Sequence, residues 1–143
     1  EVIGINSMKL VQDEIEGMGF AIPIEYAMAH IEEIESGEAI VRPMLGISLI
    51  NVSNTTALYQ YGFDVGDATE GVVVADITAN TGASKSDLKK GDIITKLDGE
   101  KVSSIAYLRY ELFKHNVGDK VTITYLRNGK ERTTTITLTA QTD

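Results

Sequence analysis

The dipeptide Asn128-Gly129 restricts the possible folds more than any other feature of this 143-residue chain. Both residues tolerate positive φ, which a two-residue hairpin turn requires at its centre. The flanking runs, Lys120 to Leu126 and Glu131 to Thr139, read as the two strands it joins. Asp98-Gly99 repeats the signal inside Ile93 to Val102, which reads as two more short strands. Val72 to Ile77 is a β-branched strand. After Arg42 another begins, with Leu45, Ile47 and Leu49 alternating against Gly46, Ser48 and Ile50. Pro43 suits the start of an edge strand, since proline cannot donate to a ladder.

Two segments switch to helical spacing. From Ser104 to His115 the apolar positions Ile105, Leu108 and Leu112 recur at intervals of three and four, with Phe113 beside them. Ser84 to Lys90 reads as a shorter helix that Gly91 ends. Ser53 to Glu70 is polar and glycine-containing, with Tyr59, Tyr61 and Phe63 scattered through it, and reads as a long loop with room for one helical turn. Five to six short strands with two helices predict an α+β domain of about 100 residues, a partly open β-barrel or sandwich around one core.

Charge divides the chain. Nine of the 21 acids but only Lys9 of the 13 bases precede Arg42, so residues 1–41 carry the whole net charge of −8. The remainder is neutral and has no basic field for a phosphate backbone, which argues against a nucleic-acid partner. Residues 1–41 hold two short apolar runs, Val2 to Ile5 and Gly19 to Ile24, that read as strands of something larger and unable to form a sheet alone. From Glu25 an acidic amphipathic helix follows, with Ala27, Ile31 and Ile34 on one face and Glu32, Glu33 and Glu35 on the other, until Gly37. No run reaches the roughly 20 apolar residues needed to span a bilayer, so no membrane contact is expected of this segment. With no cysteine there is neither a disulfide framework nor a thiolate metal site. His30 and His115 read as exposed helix residues, and Asp64, Asp67 and Glu70 lack the spacing of a calcium loop, so neither metal nor cofactor is expected.

An edge strand beside a helix leaves a groove into which a guest strand can add, its main chain bonding to the edge and its side chains filling pockets. The strand from Leu45 to Leu49 and the Ser104 helix form that pair. At its head lies Pro43-Met44-Leu45-Gly46-Ile47, where Gly46 lets the backbone turn N–H groups toward a terminal carboxylate. Taken alone, Leu45-Gly46-Ile47 is equally a bulged strand.

Met44-Leu45-Gly46-Ile47 resembles the carboxylate-binding loop of PDZ domains, where two apolar residues flank a glycine. Leu88-Lys89-Lys90-Gly91-Asp92-Ile93-Ile94, followed by Leu97-Asp98-Gly99, is similar to the PDZ stretch in which a short helix leads to a Gly-Asp-x-Ile turn. The order of elements is that of the bacterial HtrA/Deg type. Val2-Ile3-Gly4-Ile5-Asn6-Ser7 and Gly17-Met18-Gly19-Phe20-Ala21-Ile22-Pro23 look like the end of an HtrA-type, trypsin-like serine protease domain. The resemblance implies a protease remnant and linking helix at residues 1–41, poorly ordered alone, a PDZ domain at 42–139 and a tail at 140–143.

It further implies a groove lined by Met44, Leu45, Gly46, Ile47, Ser48, Leu49, Ile105, Leu108, Arg109 and Leu112, binding C-terminal or extended polypeptides with apolar end residues. The parent's protease domain is a second implied partner, and a mainly interdomain or oligomer-contact role that binds free tails weakly is the alternative. The family's Gly-Asn-Ser-Gly-Gly-Pro nucleophile segment and histidine-bearing half are not in these residues, so no catalysis is expected from them, whereas the parent would be a serine endopeptidase acting outside the cytoplasm in protein quality control. PDZ grooves that favour Ser or Thr two residues before the ligand terminus usually start the groove helix with histidine; Ile105 stands there instead, implying an apolar preference.

Overall fold

The computed structural model describes residues 2–9, 19–24, 28, 31–37 and 41–140, and the chain divides into two units, Glu1–Ile40 and Val41–Asp143. In the first, β1 (Gly4–Lys9) and β2 (Gly19–Pro23) pair antiparallel, with a bulge that leaves Ser7 unmatched. The two runs expected to need a larger sheet thus pair with each other, while Val2, Ile3 and Ile5 remain exposed. Helix α1 (Ile31–Ser36) ends at Gly37, whose φ of 71° turns the chain out as the sequence predicts. Ala27 and His30 lie outside the described residues.

The second unit is built on one antiparallel sheet. β4 (Ile47–Asn51), β5 (Val72–Ile77), β6 (Ile93–Leu97), β8 (Lys120–Arg127) and β9 (Lys130–Thr137) lie side by side in that order, and β7 (Glu100–Lys101) folds back on β6. β3 (Pro43–Met44) pairs with β10 (Thr139–Ala140), so Pro43 opens a separate two-stranded ribbon and not β4. Both expected hairpin turns form, with positive φ at Asp98 and Gly99 and at Asn128 and Gly129.

Period-two alternation distributes the apolar residues over both faces of the sheet. On one face Val72, Val74, Ile94, Val121, Ile123 and Tyr125 join Leu108 and Leu112 of helix α3 (Ile105–Leu112) in the main core. On the other, Val73, Ile93 and Val52 meet Leu58 and Phe63 in a smaller core. A strand buried on both faces needs an unbroken apolar run, which Val72-Val73-Val74 supplies.

The second face is covered because residues 53–70 are more than a loop. They contain helix α2 (Thr55–Tyr61), which Asn54 caps by accepting from the Ala57 N–H at 3.1 Å and Gly62 ends in the left-handed conformation. Leu58 is its buried anchor. The helix expected at Ser84 to Lys90 shrinks to one 3₁₀ turn, Ala83–Lys85. Local serines compete for its backbone: Ser84 Oγ donates to the Thr81 carbonyl, Ser86 Oγ to that of Ala83, and Ser86 Oγ accepts from the Leu88 N–H. Gly91, with φ of 90°, then directs the chain into Asp92 instead of ending a helix.

The two sheet edges differ. Beside β9 runs the loop carrying the 3₁₀ turn: a Cβ on Gly82 would stand 1.9 Å from the Thr137 carbonyl oxygen, and the Asp87 N–H donates to Thr134 Oγ1. β4 pairs with β5 alone among the described strands, and α3 lies near it.

Candidate functional site

The candidate groove starts at the turn before β4. Gly46 is buried with φ of 80°, and a side chain there would place its Cβ 2.2 Å from Thr81 Cβ. Only glycine fits this close approach in this conformation. The turn is clamped from one side: the Leu45 carbonyl accepts from the Ala83 N–H at 3.1 Å and the Gly46 carbonyl from the Thr78 N–H at 2.9 Å. The Thr81 hydroxyl, which packs on Gly46, donates to the Thr78 carbonyl at 2.7 Å.

These bonds orient the amides. Among the described residues there are no cis peptides, and a trans peptide points its C=O and N–H in opposite directions. With the Leu45 and Gly46 carbonyls turned to residues 78–83, the N–H groups of Gly46 and Ile47 point away from them, toward the side of β4 remote from β5. Two successive amides directed to one side form a small anion-binding concavity.

β4 continues from this head with Ile47, Leu49 and Asn51 on the face that meets α3 and Ser48 and Ile50 on the other. Ile47 and Leu49 are half-buried against the main core, as is Ile105 at the start of α3. Met44 is half-buried, and Ser48 and Arg109 are exposed. Leu45 and Leu108, at 3% and 1% exposure, are closed into the core, and Leu112 is nearly so. Leu45 and Leu108 therefore support the groove from beneath without offering surface to it. By alternation Ser48 turns its side chain to the opposite face.

Sequence reasoning passed over Asn51. Its Oδ1 accepts from the Ile105 N–H at 2.7 Å, joining the end of β4 to the first turn of α3. Ser104 caps the same helix locally, its Oγ accepting from the Tyr107 N–H at 3.4 Å. An asparagine closing an apolar strand is the visible signal, but its partner lies 54 positions away.

At the far end of α3, His115 Nε2 stands 3.3 Å from Asp98 Oδ2, while Asp98 Oδ1 accepts from the Thr122 N–H. His115 is thus bound into the frame and is not an exposed helix residue. Among the described residues no group of three or more histidine, aspartate or glutamate side chains is placed to hold a metal ion.

Comparison with known proteins matches residues 43–138 to the family described as PDZ domain. "Serine protease Do-like HtrB" of Bacillus subtilis is 39% identical over 150 residues, covering 100% of this chain and 32% of that protein. A "probable periplasmic serine endoprotease DegP-like" of Marinomonas sp. is 31% identical over 142 residues, covering 99% of this chain and 29% of its own length. Among solved structures, "HtrA-type protease AlgW with decapeptide" superposes with a TM-score of 0.72 at 25% identity, over 99% of this chain and 43% of that one. The chain therefore spans about a third of the length of the curated relatives it matches.

Proposed function

The chain belongs to the PDZ domain family, in the form found in HtrA-type serine proteases, and from that premise we propose that it captures the C-terminal end or an extended segment of another polypeptide by strand addition to β4. The observation that carries this is the pair of Gly46 and Ile47 amides, turned by their clamped carbonyls toward the side of β4 remote from β5. A terminal carboxylate seated there gains charge-assisted hydrogen bonds. The upstream main chain pairs with Ile47 to Asn51, and Ile47, Leu49 and Ile105 receive apolar side chains, at the terminus and two residues before it. The structure solved with a decapeptide in an HtrA-type protease supports the reading.

As a whole, the protein would be a serine endopeptidase of protein quality control outside the cytoplasm, in which this module presents substrate tails to the protease domain. The names of the relatives support that assignment. Titrating a peptide with a free apolar C-terminus against its amidated copy tests the binding mode. The free acid should bind at least tenfold more tightly, since a hydrogen bond to a charged group is worth about 1.5–3 kcal/mol. Equal binding would favour an internal-segment or interdomain role, and tighter binding of peptides with Ser or Thr two residues before the end would refute the apolar preference.

A further inference from the structure

The groove has two walls, and the hydrogen bond from the Ile105 N–H to Asn51 Oδ1 is a direct polar tie between them. At its head β4 is held by the bonds of Leu45 and Gly46 to residues 78–83. Five residues later, about 17 Å at strand rise, Asn51 reaches across to α3. Between these points the outer edge of β4 is where a guest strand would lie. The acceptor is not needed to start the helix, because Ser104 already caps it. The Ile105 N–H belongs to the first turn of α3, whose donors have no partner within the helix.

We propose that Asn51 is a positioning residue: it sets the separation of β4 from the start of α3, and so the size of the pocket that Ile105 presents to the ligand residue two positions before the terminus. The proposal rests on the groove reading above. Asn51 lies on the same strand face as Ile47 and Leu49, at the end remote from the carboxylate amides. Without its carbonyl, the first turn of α3 loses its fixed distance from the strand and the pocket loses its shape. Recognition of the carboxylate, secured at Gly46, persists. Asn51 thus acts on selectivity at one subsite more than on affinity as a whole.

The test compares two free-acid peptides differing only in the residue two before the end, leucine in one and serine in the other. They are titrated into the wild type, Asn51→Ala, Asn51→Asp and Ser104→Ala, with thermal unfolding measured for each. Asn51→Ala should reduce the leucine-over-serine ratio about fivefold, the equilibrium factor of one typical net hydrogen bond. Asn51→Asp, which keeps an acceptor at the helix N-terminus, should restore it. Ser104→Ala should lower the unfolding temperature as a lost cap does while leaving the ratio unchanged. An unchanged ratio in Asn51→Ala, or the same drop in Ser104→Ala, would reduce Asn51 to a stabilising cap and overturn the proposal. If the wild type binds neither peptide, the groove reading itself fails and this inference falls with it.

Discussion

Arg127 and Asp92 meet as a two-point fork in the main unit, Nε to Oδ1 and Nη2 to Oδ2, each at 2.7 Å. Asp92 is 2% exposed. Its Oδ2 also accepts from the Lys89 N–H, and Arg127 Nη2 donates further to the Asp87 carbonyl. The fork joins the turn after Gly91 to the end of β8, fixing the sequence Gly91-Asp92-Ile93 from a strand that is not its covalent neighbour.

Replacing Arg127 by alanine should therefore cost about 3–5 kcal/mol, because it strands a buried carboxylate. Arg127→Lys, which keeps the charge but cannot form the fork, should fall between the two in urea unfolding. Hydrogen bonding to Asp92 raises the Arg127 pKa above its ordinary value. A raised value contributes stability that is complete below the unfolded pKa and lost only as pH climbs past the folded one. The contribution should thus be flat through neutral and mildly alkaline pH; a loss between about pH 7 and 9 present in wild type and missing in the alanine variant would contradict it.

At the head of the groove, Gly46→Ala should destabilise by at least about 2 kcal/mol and remove carboxylate-dependent binding. The new Cβ would both oppose a φ of 80° and collide with Thr81. Retention of the difference between free-acid and amidated peptides in this variant would contradict the assignment of that turn.

Tyr125 is fully buried, and its hydroxyl has no hydrogen-bond partner among the described residues. Its ring packs in the main core, with the Arg127 guanidinium 5.2 Å from its centre. Tyr125→Phe removes an unsatisfied donor at almost constant volume, so stability should hold or rise by about 1 kcal/mol. A fall of that size on chemical unfolding would show that the hydroxyl has a hydrogen-bond partner.

The smaller core separates stability from binding. Leu58→Ala should cost about 2–5 kcal/mol, since it opens a cavity beneath α2. Peptide affinity at a temperature where the variant remains folded should change by less than about twofold, because α2 covers the face of the sheet opposite to α3. A tenfold loss would tie the two faces together.

The strands and turns were legible in the sequence because their causes are local. Asn128-Gly129 and Asp98-Gly99 adopt positive φ by their own preference, and Val72-Val73-Val74 is apolar without interruption because both faces are covered. Helix α2 was written there too, in Asn54 as a cap, Leu58 as an anchor and Gly62 as a stop, but one buried residue in two turns leaves little periodicity to read. The segment after Ala83 failed the other way, since serines that are acceptable in a helix bonded to their own backbone. In the groove, the glycine turn was visible. The closing of Leu45 and Leu108 into the core, and the reach of Asn51 to Ile105, depend on tertiary placement that no spacing encodes.

The unequal edges of the main sheet bear on how this protein keeps company with its own copies. Exposed strand edges recruit one another, and a sheet with two free edges can grow into a fibre. Here the β9 edge is shielded by the loop through Gly82 and Asp87, and the strand at the other edge, β4, has α3 near it. On the proposed reading a thin, single extended segment enters beside that helix, whereas the broad flank of another folded sheet would meet the helix first. A groove that admits one tail, as proposed, would thus guard the module against sheet-to-sheet self-association.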